Sequence, residues 1–123
     1  MRVRTAREGE RTDVLGVLDA GFLHTDADRV ADRIAADEVL VAADGGTVVG
    51  ALVAEDGFVV AIAVRPNRRG QGVGRSLVAA AADRWGRLVA EFDESVRPFY
   101  EALGFDISPA GERYRGVLDP PVR

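Results

Sequence analysis

The stretch AIAVRPNRRGQGVGRSLV, Ala61 to Val78, decides how this chain is read. An apolar run, Phe58 to Val64, stops at Arg65-Pro66-Asn67. Two more arginines and three alternating glycines follow, and then an apolar pattern of a different period begins. Leu77, Val78, Ala81, Ala82 and Trp85 recur at helical spacing, and Gly86 ends the run. A strand, a cationic glycine loop and a helix N-terminus in that order make an anion site. The first N–H groups of a helix have no internal partners and carry the positive end of its dipole. Gly70, Gly72 and Gly74 let an anion approach those groups closely. As a bare pattern, G-x-G-x-G also serves as a simple turn and cap. Arg65, Arg68, Arg69 and Arg75, grouped around it in an acidic chain, favour the anion site. The loop is not a dinucleotide fingerprint, because its third glycine comes one place early and it does not open a βαβ unit.

Working outward from the loop, three apolar runs precede it. Val39 to Ala43, Thr47 to Ala54 and Phe58 to Val64 are separated by the turn signals Asp44-Gly45-Gly46 and Asp56-Gly57. They read as an antiparallel meander. Before them, Val3 to Ala6 reads as a short strand. Thr12 and Asp13 read as caps for a helix through Val14, Leu15, Leu18 and Phe22. Asp26 or Asp28 starts a second helix with Val30, Ala31, Ile34 and Ala35 as its apolar stripe. After the loop helix come a strand, Leu88 to Phe92, and a short helix, Val96 to Leu103, with Pro98 in its first turn and Gly104 as its cap. A last strand begins at Phe105 to Ile107, and Asp119-Pro120-Pro121 reads as a tail. The order is β-α-α-β-β-β-α-β-α-β: an α/β fold with a mixed, mostly antiparallel sheet flanked by helices. The length of 123 residues suggests one domain, residues 1–123.

Composition excludes several chemistries. There is no cysteine, hence no disulfide, thiolate metal site or Cys nucleophile. All 16 basic residues are arginine, so a Walker phosphate loop and lysine Schiff-base chemistry are excluded. Arginine in place of lysine beside abundant Asp, Ala, Val and Gly is what either a GC-rich genome or adaptation to high salt, as in a halophile, produces. His24 is the only histidine, and no metal site is expected. A formal charge of −4 argues against a general nucleic-acid binder. No apolar run approaches the ~20 residues of a bilayer span, and Met1 to Thr5 lack a signal-peptide h-region. A cytoplasmic protein without membrane or nucleic-acid partners is the expectation.

Two segments resemble one family. Arg69-Gly70-Gln71-Gly72-Val73-Gly74 matches R/Q-x-x-G-x-G/A, the acetyl-CoA pyrophosphate loop of the GNAT N-acetyltransferase superfamily. RPFYEALGF, Arg97 to Phe105, is similar to that family's C-terminal FYxxxGF segment, and the element order agrees through the whole chain. The resemblance implies an acetyl-CoA-dependent N-acetyltransferase. The backbone of Ile62, Ala63 and Val64 would pair with the pantetheine arm. The amides of Gly70, Gln71, Gly72, Val73 and Gly74, with Arg69 and Arg75, would hold the pyrophosphate.

Acetyl transfer from a thioester needs a neutral amine, a donor for the oxyanion and help for the departing thiolate. Tyr100 occupies the tyrosine of the FY pair, which implies the acid. Glu91 in AEF looks like the strand that carries a glutamate base in some members, although the segment from Glu91 to Tyr100 is shorter here. Asp93 stands where an asparagine is often found, and Val59 stands where another group has a glutamate. Glu55 and Asp56 read as turn residues and His24 as a surface residue. The competing expectation is a CoA-binding regulatory or interaction module that keeps the fold without turnover, which Val59 favours and Tyr100 opposes. The acceptor is a small-molecule amine or a protein N-terminus. The chain is short for the family, so the acceptor cleft is either open or completed by a second subunit of a homodimer.

Overall fold

The apolar runs on both sides of the glycine loop become neighbours in one mixed sheet. The computed structural model describes residues 1–20 and 26–120. Its elements are β1 (Arg2–Thr5), α1 (Arg11–Ala20), α2 (Ala27–Ala35), β2 (Val39–Asp44), β3 (Thr47–Glu55), β4 (Phe58–Val64), α3 (Val73–Trp85), β5 (Leu88–Phe92), α4 (Arg97–Ala102), β6 (Asp106–Ala110) and β7 (Arg113–Leu118). The strands form a seven-stranded sheet in the order β1-β2-β3-β4-β5-β7-β6. Every neighbouring pair is antiparallel except β4–β5, which is parallel. A parallel pair needs a crossover, and α3 supplies it. The expected meander is β2-β3-β4, with the Asp56-Gly57 turn carrying positive φ at both residues. No helix among the described residues is long and apolar enough to cross a membrane.

Over β2, β3 and most of β4 the sheet is covered on both faces, which is why these strands read as continuous apolar runs rather than alternating ones. Leu40, Leu52, Ile62 and Val64 pack with Leu77 and Val78 of α3. On the other face Val39, Val41, Ala51, Val53 and Ala63 pack with Val14, Val17 and Leu18 of α1 and with Val30 and Ile34 of α2. Burying a side chain such as Leu18, Leu52 or Leu77 completely is worth about 1.5–3 kcal/mol. Gly50 of β3 sets how closely α3 approaches. A Cβ there would lie 2.8 Å from Val73 Cγ1 and 3.1 Å from Leu77 Cδ1.

Two local expectations need correction and one alternative is resolved. Thr12 and Asp13 do not cap α1; they lie inside its first turn. A 3-10 turn, Glu8–Glu10, leads into the helix, and the Glu10 carboxylate accepts from Arg7 N–H at 2.7 Å. Arg4 clamps the same carboxylate with two bonds, 2.7 and 2.9 Å. The choice between Asp26 and Asp28 falls to Asp26, whose carboxylate accepts from Asp28 N–H at 2.7 Å. The strand near Phe105 to Ile107 is not the last. It is β6, and β7 turns back to lie between β6 and β5. Phe22 and His24 lie outside the described residues.

Two stability predictions follow from these contacts. Gly50→Ala should push α3 off the sheet and cost about 1–3 kcal/mol by overpacking, visible as a lower melting temperature; an unchanged one would contradict the close approach. The Arg4 hydrogen bonds bring the Glu10 pKa from 4.5 down to about 2. A carboxyl lowered on folding stabilises above its unfolded pKa, and that contribution is lost as pH falls toward 2. Glu10→Gln should therefore lose about 1.5–3 kcal/mol at pH 7, the worth of hydrogen bonds to a charged group. The gap to wild type should close between about pH 4.5 and 2. Urea unfolding at both ends of that window checks it, and a gap independent of pH would exclude the ion pair as its cause.

Candidate active site

β4 and β5 are held together only at one end. Phe58 registers with Val89, and Val89 N–H donates to Gly57 O at 3.0 Å. Beyond that point the strands part. On its other side β4 stays paired with β3 through Ile62–Leu52, Ala63–Ala51 and Val64–Gly50. The edge of Ile62 to Val64 that faces β5 therefore has no strand partner. A cavity of about 820 Å³ fills the gap, walled by β4, the glycine loop, the first turn of α3, the end of β5, and α4.

The glycine loop forms the cavity's cationic end. Gly70 and Gly72 have φ of 76° and 80°, so the backbone requires glycine at both. Gly72 is the N-cap of α3 and offers no side chain to its amides. The first helical bond there is Ser76 N–H to Gly72 O, 3.0 Å. The amides of Val73, Gly74 and Arg75 are thus left without helical partners. A Cβ at Gly72 would meet nothing within 4 Å, and Gly72, Val73, Gly74 and Arg75 all line the cavity. Of the residues named for the cofactor, all but Gln71 line the wall. Gln71 is exposed, and its side-chain amide reaches back to Asn67 O at 3.4 Å.

The four arginines divide. Arg69 and Arg75 line the cavity and are held by backbone carbonyls, Arg69 Nε to Val64 O at 3.4 Å and Arg75 Nη2 to Ala102 O at 2.9 Å. Arg68 also lines it, but pairs with Asp44 at 2.6 Å. Arg65 does not belong to the loop's positive charge. Its Nε donates to Val48 O at 2.9 Å and its guanidinium lies beside Gly16, where it ties the end of β4 to β3 and α1.

Tyr100 sits on α4, is buried and lines the cavity. Phe92 stacks on it at 4.2 Å between centroids, while Phe99 and Phe105 meet it edge to face at 5.4 and 5.2 Å. That cage fixes the ring, and burial pushes its pKa up to about 12. Glu91 lies on β5, exposed, and lines the same cavity. It also lines a second cavity of about 420 Å³, on the part of the sheet face that α1 and α2 leave uncovered among the described residues. Asp93 and Val59 both line the first cavity, Val59 as a buried residue of the core. Glu55 is a structural residue: the Arg29 hydrogen bond holds its carboxyl below the usual range, and Arg33 lies within 3.9 Å. No group of three or more metal-ligating side chains occurs among the described residues.

Two features of the cavity escaped the sequence. The register between β3 and β4 shifts so that Val53 faces Ala61 while Ala54 faces Val59. Val60 is the extra residue of this bulge, and it lines the cavity. A bulged residue is left out of the ladder, which makes its backbone available. FVVAIAV is apolar throughout and carries no alternation that would betray the shift. The second feature is Arg113, contributed by β7, which lines the cavity and donates to Glu91 O at 3.2 Å. The alternation in RYRGVL after the turn at Gly111 was the signal for that strand.

Comparison with known proteins agrees with this fold. An acetyltransferase of the GNAT family from Bacillus cereus superposes with a TM-score of 0.83 at 15% identity over 98% of each chain. Ard1 from Thermoplasma volcanium does so with 0.83 at 16% over 98% of each. N-acetylglutamate synthase from Neisseria gonorrhoeae, complexed with coenzyme A and N-acetyl-glutamate, matches with 0.77 at 19%, over 98% of this chain and 35% of that one. At these identities the likeness is one of fold. No curated protein matches the chain in sequence. The family model described as an acetyltransferase (GNAT) domain matches residues 35–107. That match spans more than half of the chain and runs through both the glycine loop and the FYEALGF segment, so the chain belongs to the GNAT acetyltransferase family.

Proposed function

We propose that the chain is an acetyl-CoA-dependent N-acetyltransferase acting on a primary amine, either of a small molecule or of a protein N-terminus. One observation carries this reading. The unpaired edge of β4, the free amides of α3 and Tyr100 line a single cavity. An extended arm adds to a strand edge through main-chain bonds, and a pyrophosphate suits a helix N-terminus flanked by Arg69 and Arg75. The Neisseria neighbour, complexed with coenzyme A, supports a CoA donor on this fold.

In the reaction the neutral amine attacks the thioester carbonyl carbon. The C–N bond forms, the C–S bond breaks with its electron pair left on sulfur, and nitrogen loses one proton. At pH 7 freeing a lysine-like amine of its proton costs roughly 4.6 kcal/mol, against about 1–1.4 kcal/mol for an α-amino group. Glu91, between the two cavities, is the base of this reading and takes the proton from nitrogen. The bulge at Val60 offers backbone for the oxyanion.

Tyr100 has a narrower role than a full acid. With its pKa near 12, handing its proton completely to a thiolate of pKa roughly 8.5 would run uphill by about 5 kcal/mol. It instead donates a hydrogen bond to sulfur as charge develops, and the proton that finally neutralises CoA comes from the amine by way of Glu91 and solvent. The same high pKa keeps the hydroxyl protonated, and so able to donate, at every pH at which the protein would work.

Two measurements test the reading. Gly72→Glu puts a side chain and a negative charge in front of the α3 amides. Calorimetry should show at least a tenfold weaker acetyl-CoA affinity, about 1.4 kcal/mol; unchanged affinity in a folded variant would remove the loop from the site. Tyr100→Phe keeps the stacked ring and deletes only the hydroxyl. Acetyl-CoA should bind as before while single-turnover CoA release slows by about 10² to 10³, the usual loss for one donor to developing charge. A rate within threefold of wild type would take Tyr100 out of the mechanism. If acetyl-CoA binds and no amine in a broad panel releases CoA, the reading becomes that of a CoA-binding module without turnover.

A further inference from the structure

Among the described residues, the second cavity is open on the part of the sheet face that α1 and α2 leave bare. It is lined by Asp56, Phe58, Arg87, Val89, Glu91 and Arg115, with Gly57 at the turn. Its volume of about 420 Å³ lies within the range of small-molecule sites. Its floor is apolar, with Phe58 37% exposed although it lies at the centre of the sheet. Its rim carries both signs of charge, and these charges differ in whether the protein already satisfies them. Arg87 is neutralised by Asp119 at 2.7 Å. Arg115 has neither an ion pair nor a side-chain hydrogen bond among the described residues, and the same is true of the Glu91 carboxylate.

Register explains why these two stand together. Glu91 of β5 is directly opposite Arg115 of β7, so their side chains leave the sheet on the same face, with Cβ atoms about 4.5–5.5 Å apart. Arg113, two residues along β7, shares that face and lines the donor cavity beside Glu91. A carboxylate and a guanidinium so placed would ordinarily close on each other. Here they do not, and each presents its charge to the cavity. A ligand with complementary charges satisfies both at once. Its ammonium meets Glu91 at the junction of the two cavities, and its carboxylate takes the planar fork of Arg115, which suits a bidentate pair.

We propose that the second cavity is the acceptor subsite and that the acceptor is a free amino acid, with its α-carboxylate held by Arg115 and an apolar side chain lying on Phe58 and Val89. This rests on the acetyltransferase reading only in assigning Glu91 as the base. The recognition itself stands on the second cavity and can be measured without turnover. Arg115 is a specificity-determining residue, and it discriminates by leaving its own buried-on-binding charge unpaired when the carboxylate is missing.

The test pairs each common amino acid with its own amide, which keeps the amine and the side chain and removes only the negative charge. The CoA-saturated protein is titrated calorimetrically with both sets, and CoA release is followed in parallel. At least one amino acid should bind ten times or more tightly than its amide. Its release rate should show the same preference in KM, although the less basic amine of the amide is the easier nucleophile to free. Arg115→Ala should abolish the preference and weaken the amino acid at least tenfold, with acetyl-CoA affinity retained because Arg115 lies outside the donor cavity. Arg115→Lys, which keeps charge and loses the fork, should fall between the two. Equal binding of acid and amide, no binding by any amino acid, or an unaltered preference in Arg115→Ala would overturn the assignment. Preferential binding that depends on Arg115 but releases no CoA would uphold the subsite and overturn the catalytic reading instead.

Discussion

The site depends on one failed pairing. β4 and β5 run parallel, meet at Phe58 and Val89, and then separate. Had they stayed paired, the backbone of Ile62 to Val64 would be satisfied on both sides and no slot would exist. The separation is imposed from both ends. The Asp56-Gly57 turn and the Val89–Gly57 hydrogen bond pin the strands where they start. At the far end α3 and α4, packed through Leu77, Val78, Tyr100 and Phe92, hold them apart. Unpaired backbone in a protein interior is costly unless something completes it, and this edge opens on a cavity of about 820 Å³.

The same separation organises the charges. An acidic chain with its basic residues all arginine could scatter them evenly, yet Arg68, Arg69 and Arg75 converge where β4 ends and α3 begins. The helix dipole and the free amides of α3 act in the same direction as these guanidiniums, and the effects are short-ranged enough to define one end of the cavity. At the other end, β5 carries Glu91 to the boundary between the donor cavity and the open face of the sheet. Positive charge and negative charge are thus kept apart along one groove, the guanidiniums at the α3 end and the Glu91 carboxylate at the other.

The aromatic cluster shows how position and chemistry are linked. Tyr100 is stacked on Phe92 and bounded by Phe99 and Phe105. The packing that holds its hydroxyl in place also desolvates it, and desolvation raises its pKa. Precision of placement therefore comes at the expense of acidity, and a hydrogen-bond donor is the part that such a tyrosine can play.

By itself the sequence determined the local elements and the chemistry of the loop. Helical and strand periods, the glycines at Gly70 and Gly72 and the run of arginines are short-range properties, because capping, dipoles and φ preferences act within a few residues. Most strands, the α3 start and the cationic glycine loop were legible for that reason. What only the tertiary structure decided was long-range. Arg65 belongs to the same run as Arg69, yet Val48 O and Gly16 draw it to the opposite side of the sheet. The bulge at Val60 lies in a strand apolar on both faces, where a one-residue slip leaves no trace in the pattern. β7 enters the sheet between two strands that precede it, so Arg113 and Arg115 meet Glu91 across more than twenty residues of chain. Register across non-adjacent strands is set by packing of the whole sheet, and no window of sequence contains it.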